Sequence, residues 1–145
     1  MSIPKIPSHL FKPITGKFLY RVTSGVLEFD LIIPLEPFDS GLGYVNQPEK
    51  TAFCIENNAI PVQALDELDG KFYVLNKDPM FNEGSLYIGY AHNPVDLKSI
   101  SFKRVSIDRF EIAIRVYCDF EYEGVASSET IDVIATVQMI PKGDE

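Results

Sequence analysis

The stretch RFEIAIRVYCDFEYEG, Arg109–Gly124, decides how the chain is read. Its alternate positions Phe110, Ile112, Ile114, Val116, Cys118, Phe120 and Tyr122 are apolar or aromatic. The interleaved positions are Glu111, Ala113, Arg115, Tyr117, Asp119, Glu121 and Glu123. A period of two belongs to a β-strand with one face in a core and the other in water. A helix would repeat its apolar positions every third or fourth residue. The pattern therefore predicts a strand from Arg109 to Glu123, with Asp119, Glu121 and Glu123 along its wet face, neighbours about 6.5–7 Å apart.

The flanking segments extend the same reading. Ile100–Ile107 precedes this strand across a short connection, and Glu129–Ile140 follows it across GVASS. In the last segment Ile131, Val133, Ala135, Val137 and Met139 alternate with Thr130, Asp132, Ile134, Thr136 and Gln138. Strands joined by short loops pair antiparallel. Towards the N-terminus, KFLYRVT and VLEFDLIIPL flank Ser24-Gly25, a two-residue hairpin turn. TAFCIENN, KFYVL and SLYIGYA read as further strands. Residues 36–50 read as loop, and so does HNPVDLKS, because Asn93-Pro94 is a turn signal. One short helix is expected near Val62–Leu68, ended by Asp69-Gly70.

The chain is thus expected to be mainly β, or α+β with little helix. An antiparallel sheet, sandwich or half-barrel of about seven or eight strands would carry one short helix. Its 145 residues fit a single domain, with 1–15 as an irregular proline-broken arm and 141–145 as a solvated tail. That length buries enough surface to need no disulfide or metal. Cys54 and Cys118 lie far apart in apolar surroundings and read as buried, reduced thiols.

Composition excludes several functions. A net charge of −8, with 13 basic against 21 acidic residues, disfavours nucleic acid and anionic membrane surfaces. Met1–Phe18 has no long apolar core, and no run approaches a membrane span of about 20 apolar residues. A cytoplasmic location is expected. No G-x-S-x-G elbow, phosphate loop or dinucleotide fingerprint is present. Cys-x-x-Cys and His-x-x-x-His are missing, and the carboxylate-rich LDELDG, NKDPMFNEG and DFEYEG lack the spacing of a calcium loop. No catalytic residue, metal or cofactor is assigned. His92 with Asp96 is a weak acid–base candidate; a loop histidine bonding its own turn is the preferred reading.

The acidic set carries the functional reading. Like charges along one strand face repel, unless Lys103, Arg104 or Arg115 answers them within the fold, or a basic partner covers them. Tyr117, Asp119, Glu121, Tyr122, Glu123 and Asp132 form the candidate partner-binding surface, the tyrosines adding aromatic contact area. Asp66, Glu67 and Asp69 make a second acidic cluster, and Asp78 and Glu83 a third.

Small size, charge −8, an N-terminus not expected to act as a leader and a β-rich body ending in FEIAIRVYCDFEYEG give a profile. That profile resembles the small acidic immunity proteins that bacteria encode beside polymorphic or contact-dependent toxins. The resemblance implies a cytoplasmic inhibitor that occludes the active site of one cognate, often basic, toxin domain. Two other classes stay open. An assembly protein would oligomerise through an exposed strand edge. A ligand binder or enzyme would have a pocket among residues 36–50 and 76–96, converging on His92, Tyr44, Tyr90 or carboxylates.

Overall fold

The computed structural model describes residues 3–75 and 83–143. Among the described residues there are eight strands: β1 Gly16–Thr23, β2 Val26–Pro34, β3 Ala52–Ile60, β4 Phe72–Val74, β5 Glu83–Ile88, β6 Ala91–Ser106, β7 Arg109–Cys118 and β8 Glu129–Pro141. Seven of them close a barrel in the order β6-β5-β3-β2-β1-β8-β7, with β7 pairing back onto β6. The eighth, β4, adds to β6 beyond β5, at Phe72↔Ser101 through Val74↔Ser99.

Every barrel pair is antiparallel except β1–β8, which is parallel from Gly16↔Val137 to Tyr20↔Pro141. The cause is parity. Strands that alternate in direction cannot close a ring of seven without one parallel pair. Closure also removes the long unpaired edges that an open sheet exposes to aggregation.

The alternation of the sequence becomes the inside and outside of the barrel. Along β7 burial alternates without a break, with Phe110, Ile112, Ile114, Val116 and Cys118 inside. Phe18 stacks on Phe29 at 4.6 Å between ring centroids, and Phe102 meets both Phe18 and Phe110 edge-on. These buried rings fill the interior as packed core. One end is sealed by Val62 and Leu68. The expected helix there is a three-residue 3-10 turn, Leu65–Glu67, since the segment needs only one turn to drop Leu68 into the barrel. Ile6, Phe38, Leu42, Val45, Phe120, Val125 and Ala126 seal the other end.

Three expectations are corrected. The strand begun at Arg109 ends at Cys118, and residues 119–124 form a turn. Asp119, Glu121 and Glu123 therefore share no strand face. HNPVDLKS lies in β6. Pro94 is tolerated in a central strand because its carbonyl faces the segment leaving β7, accepting the Asp119 N–H at 2.8 Å. Its missing donor points the same way, past the last ladder pair Val95↔Cys118. Lys142, expected in a solvated tail, is anchored: its N–H donates to the Tyr20 carbonyl, and its ammonium lies 3.3 Å from Asp30.

Candidate functional site

Strand connectivity gathers four irregular segments at one end of the barrel. They are the N-terminal arm, loop 35–51, the β5–β6 turn and the turn 119–128. The β5–β6 turn puts Gly89 and Tyr90 in left-handed backbone at φ 68° and 58°. That geometry suits a two-residue hairpin and favours glycine. The Ile88–Gly89 peptide is gripped on both edges. Its N–H donates to Glu49 at 2.8 Å, and Asn93 Nδ2 donates to its carbonyl at 3.1 Å, reaching those of Leu86 and Ala91 as well. The Tyr90 hydroxyl accepts the Asn46 N–H at 2.9 Å, and its ring meets Tyr44 edge-on.

This clamp presents aromatic side chains to solvent. Five of the chain's seven tyrosines are exposed: Tyr44, Tyr87, Tyr90, Tyr117 and Tyr122. Tyr87 and His92 face each other across the β5–β6 pair at 5.5 Å between centroids. His92 in turn lines a groove of about 480 Å³ on the outer surface of β6 and β7. Tyr117 and Tyr122 give it aromatic walls, Pro94 an apolar one, and Asp96, Lys98 and Asp119 its charge.

The groove follows from a fault in a strand. His92, Pro94, Asp96 and Lys98 alternate outward while Asn93, Val95 and Leu97 turn inward. Leu97 then pairs with Val116 and Ser99 with Arg115, leaving Lys98 as a one-residue bulge. Bulges re-aim side chains. Here the bulge sets the Lys98 ammonium against Asp96 at 2.5 Å, where the carboxylate side chain is only 11% exposed and that of the lysine 49%. Asp96 is cross-strand partner to Tyr117. The pairing of His92 with Asp96 is thus replaced by Lys98 with Asp96, both pairs lining one groove.

The remaining candidate residues divide. Tyr117, Asp119 and Tyr122 meet in the groove; Glu121, Glu123 and Asp132 do not line it. Ser128 Oγ donates to Asp119 at 3.0 Å, and Glu121 accepts the Ser128 N–H at 3.1 Å. Glu121 is therefore part of what holds the turn. Glu123 is exposed. Asp132 receives Arg115 in a forked pair at 2.8 and 3.2 Å, and that hydrogen bond holds its carboxyl below the usual range. It lines a separate depression with Phe72 and Ile134. Arg104 pairs with Asp66, and its backbone N–H donates to Asp69. In the third acidic cluster, Asp78 and the Glu83 side chain lie outside the described residues.

Neither cysteine suits nucleophilic chemistry. Burial, reinforced by the charge of Glu129, pushes the Cys118 thiol up to about 12. Cys54 is also raised, by burial and then by Glu56. A nucleophilic cysteine needs the opposite shift. Among the described residues, no group of three or more His, Cys, Asp or Glu side chains is placed to hold a metal ion, and no helix is long and apolar enough to cross a membrane.

Lys98 and Tyr87 escaped sequence reasoning. The signal for Lys98 was present as the alternation from His92 to Lys98, hidden by an Asn-Pro pair that reads as a turn. In comparisons with known proteins, no family model matches the chain, nor does any curated protein or solved structure.

Proposed function

We propose that the chain is a non-catalytic protein-binding domain that covers a basic surface of its partner, and that it acts in the cytoplasm as an immunity protein occluding a bacterial toxin. One observation carries the reading: two of the exposed tyrosines, Tyr117 and Tyr122, and the carboxylates of Asp96 and Asp119 line one outer groove, while the barrel interior is packed with side chains. Tyrosine gives large contact area at low entropic cost, and interface hot spots are rich in it. The net charge of −8 favours encounter with a basic surface. The barrel is apolar within, and its β7 outer face carries Glu111, Arg115 and Tyr117, the reverse of a membrane-spanning barrel.

The test is co-expression with basic toxin domains, followed by calorimetry on the pair that restores growth. Tyr117→Ala with Tyr122→Ala weakens that complex at least tenfold while leaving the thermal melt unchanged. Raising salt lowers the association rate. Unchanged affinity in the double variant overturns the reading.

A second reading, a small-ligand site, is favoured by the groove volume, which falls inside the roughly 300–1,000 Å³ range of ligand pockets. It requires saturable binding of a small molecule by the isolated chain.

A further inference from the structure

The groove holds its own cation. Lys98 is the bulged residue of β6, without a partner on β7, and its ammonium caps the largely buried Asp96 carboxylate. A carboxylate withdrawn from water needs a counter-charge, so Asp96 keeps one whether or not a partner is bound. Lys98 is a poor permanent choice. It is half exposed, flexible and a point charge, and it leaves the aromatic walls of Tyr117 and Tyr122 unused. A guanidinium suits the same space better. It is planar and weakly hydrated, it stacks on aromatic rings, and its five donors can serve two carboxylates.

We propose that the groove receives an arginine side chain of the partner, and that Lys98 is a placeholder which the arginine displaces from Asp96. The proposal rests on the protein-contact reading above and specifies its central contact. In the free chain the Lys98–Asp96 pair keeps the site electrically satisfied. In the complex the guanidinium lies between Tyr117 and Tyr122, bonded to Asp96 and Asp119, and Lys98 swings into solvent. Displacement lowers affinity by the strength of the pair it breaks, so removing Lys98 strengthens binding. Partners that present only lysine gain less, because one ammonium merely replaces another.

The test titrates N-acetyl-arginine amide into the full chain, following backbone amide shifts of Val95–Lys98 and Val116–Asp119. N-acetyl-citrulline amide is the isosteric uncharged control. Arginine amide is expected to bind at millimolar Kd with shifts confined to the groove, and citrulline amide not to bind. Lys98→Met is expected to tighten arginine binding several-fold, and Asp96→Asn to abolish it. Lys103→Met, on the same strand away from the groove, removes the same charge and is expected to leave Kd unchanged. Equal tightening in Lys98→Met and Lys103→Met means a general charge effect and overturns the displacement. Arginine binding that Lys98→Met does not alter overturns the displacement but keeps arginine as occupant. Equal binding of citrulline, or no shifts with arginine, overturns the arginine site; the tyrosine double variant in the toxin complex then decides the wider reading separately.

Discussion

The β7–β8 wall and the β5–β6 corner are both antiparallel pairs, but they are held in different ways. The wall makes ten consecutive cross-strand pairs, Arg109↔Gln138 to Cys118↔Glu129, over an unbroken row of inward apolar side chains. The corner makes five pairs and then depends on single polar contacts, Glu49 on the Gly89 N–H and Asn93 on three carbonyls. In the wall each residue is one of many equivalents, and its contribution is mainly hydrophobic burial. At the corner each contact is singular, and its loss frees a specific piece of backbone. Repetition builds the container, and the singular contacts aim Tyr87, Tyr90 and His92 outward from it.

The largest expected effect breaks the wall. Phe110 is fully buried against Phe102, with the Arg104 guanidinium 5.2 Å from its ring centroid. Phe110→Ala removes a large core side chain, at a cost of about 3–5 kcal/mol. Because the barrel is closed, the loss appears as one cooperative shift in urea unfolding, seen alike by probes in the wall and the corner. A loss under about 1 kcal/mol would mean that the interior repacks freely.

A smaller and more local effect is expected at Gly89. Alanine there takes a left-handed conformation, costing roughly 1–2 kcal/mol. Its Cβ would also stand 2.6 Å from the Tyr44 hydroxyl and 3.0 Å from Leu42 and Val125. Hydrogen exchange should speed up across loop 36–50 and the β5–β6 turn while β7–β8 keeps its protection. Uniform loosening would show that the corner is no separate unit.

The difference between these regions explains what the sequence disclosed. The wall was legible because its period of two runs on for ten residues, and burial by itself assigns the faces. Beyond Cys118 the same alternation continues into Phe120, but the chain has turned, because Val125 and Ala126 N–H groups both return to the Phe120 carbonyl. Residue type alone could not distinguish a buried ring that plugs an end from one that lines a strand. At the corner the misleading sign was Asn93-Pro94. The asparagine is inward, serving three carbonyls, and the proline stands where the neighbouring ladder has ended. Both facts depend on strands distant in sequence. Of the six residues singled out for partner contact, the three that converge sit where wall and corner meet.

The smallest expected effect concerns Asp132, on the wall. Arg115 and Asp132 are cross-strand partners with exposed side chains, so their pair adds little to stability in high dielectric. The same hydrogen bond raises Arg115 and lowers Asp132. For a carboxyl lowered on folding, the associated stability is present above its unfolded value and is lost as pH falls through the folded one. Carbon-detected titration should therefore place the Asp132 midpoint below the ordinary 3.8, and Arg115→Gln should return it upward. Asp132→Asn should leave the neutral-pH melting temperature unchanged. Asp132 lies outside the groove, so the same variant should also leave affinity for the proposed partner unchanged, where Tyr117→Ala with Tyr122→Ala removes most of it. A loss from Asp132→Asn as large as that of the tyrosine variant would move the contact from the groove onto the wall.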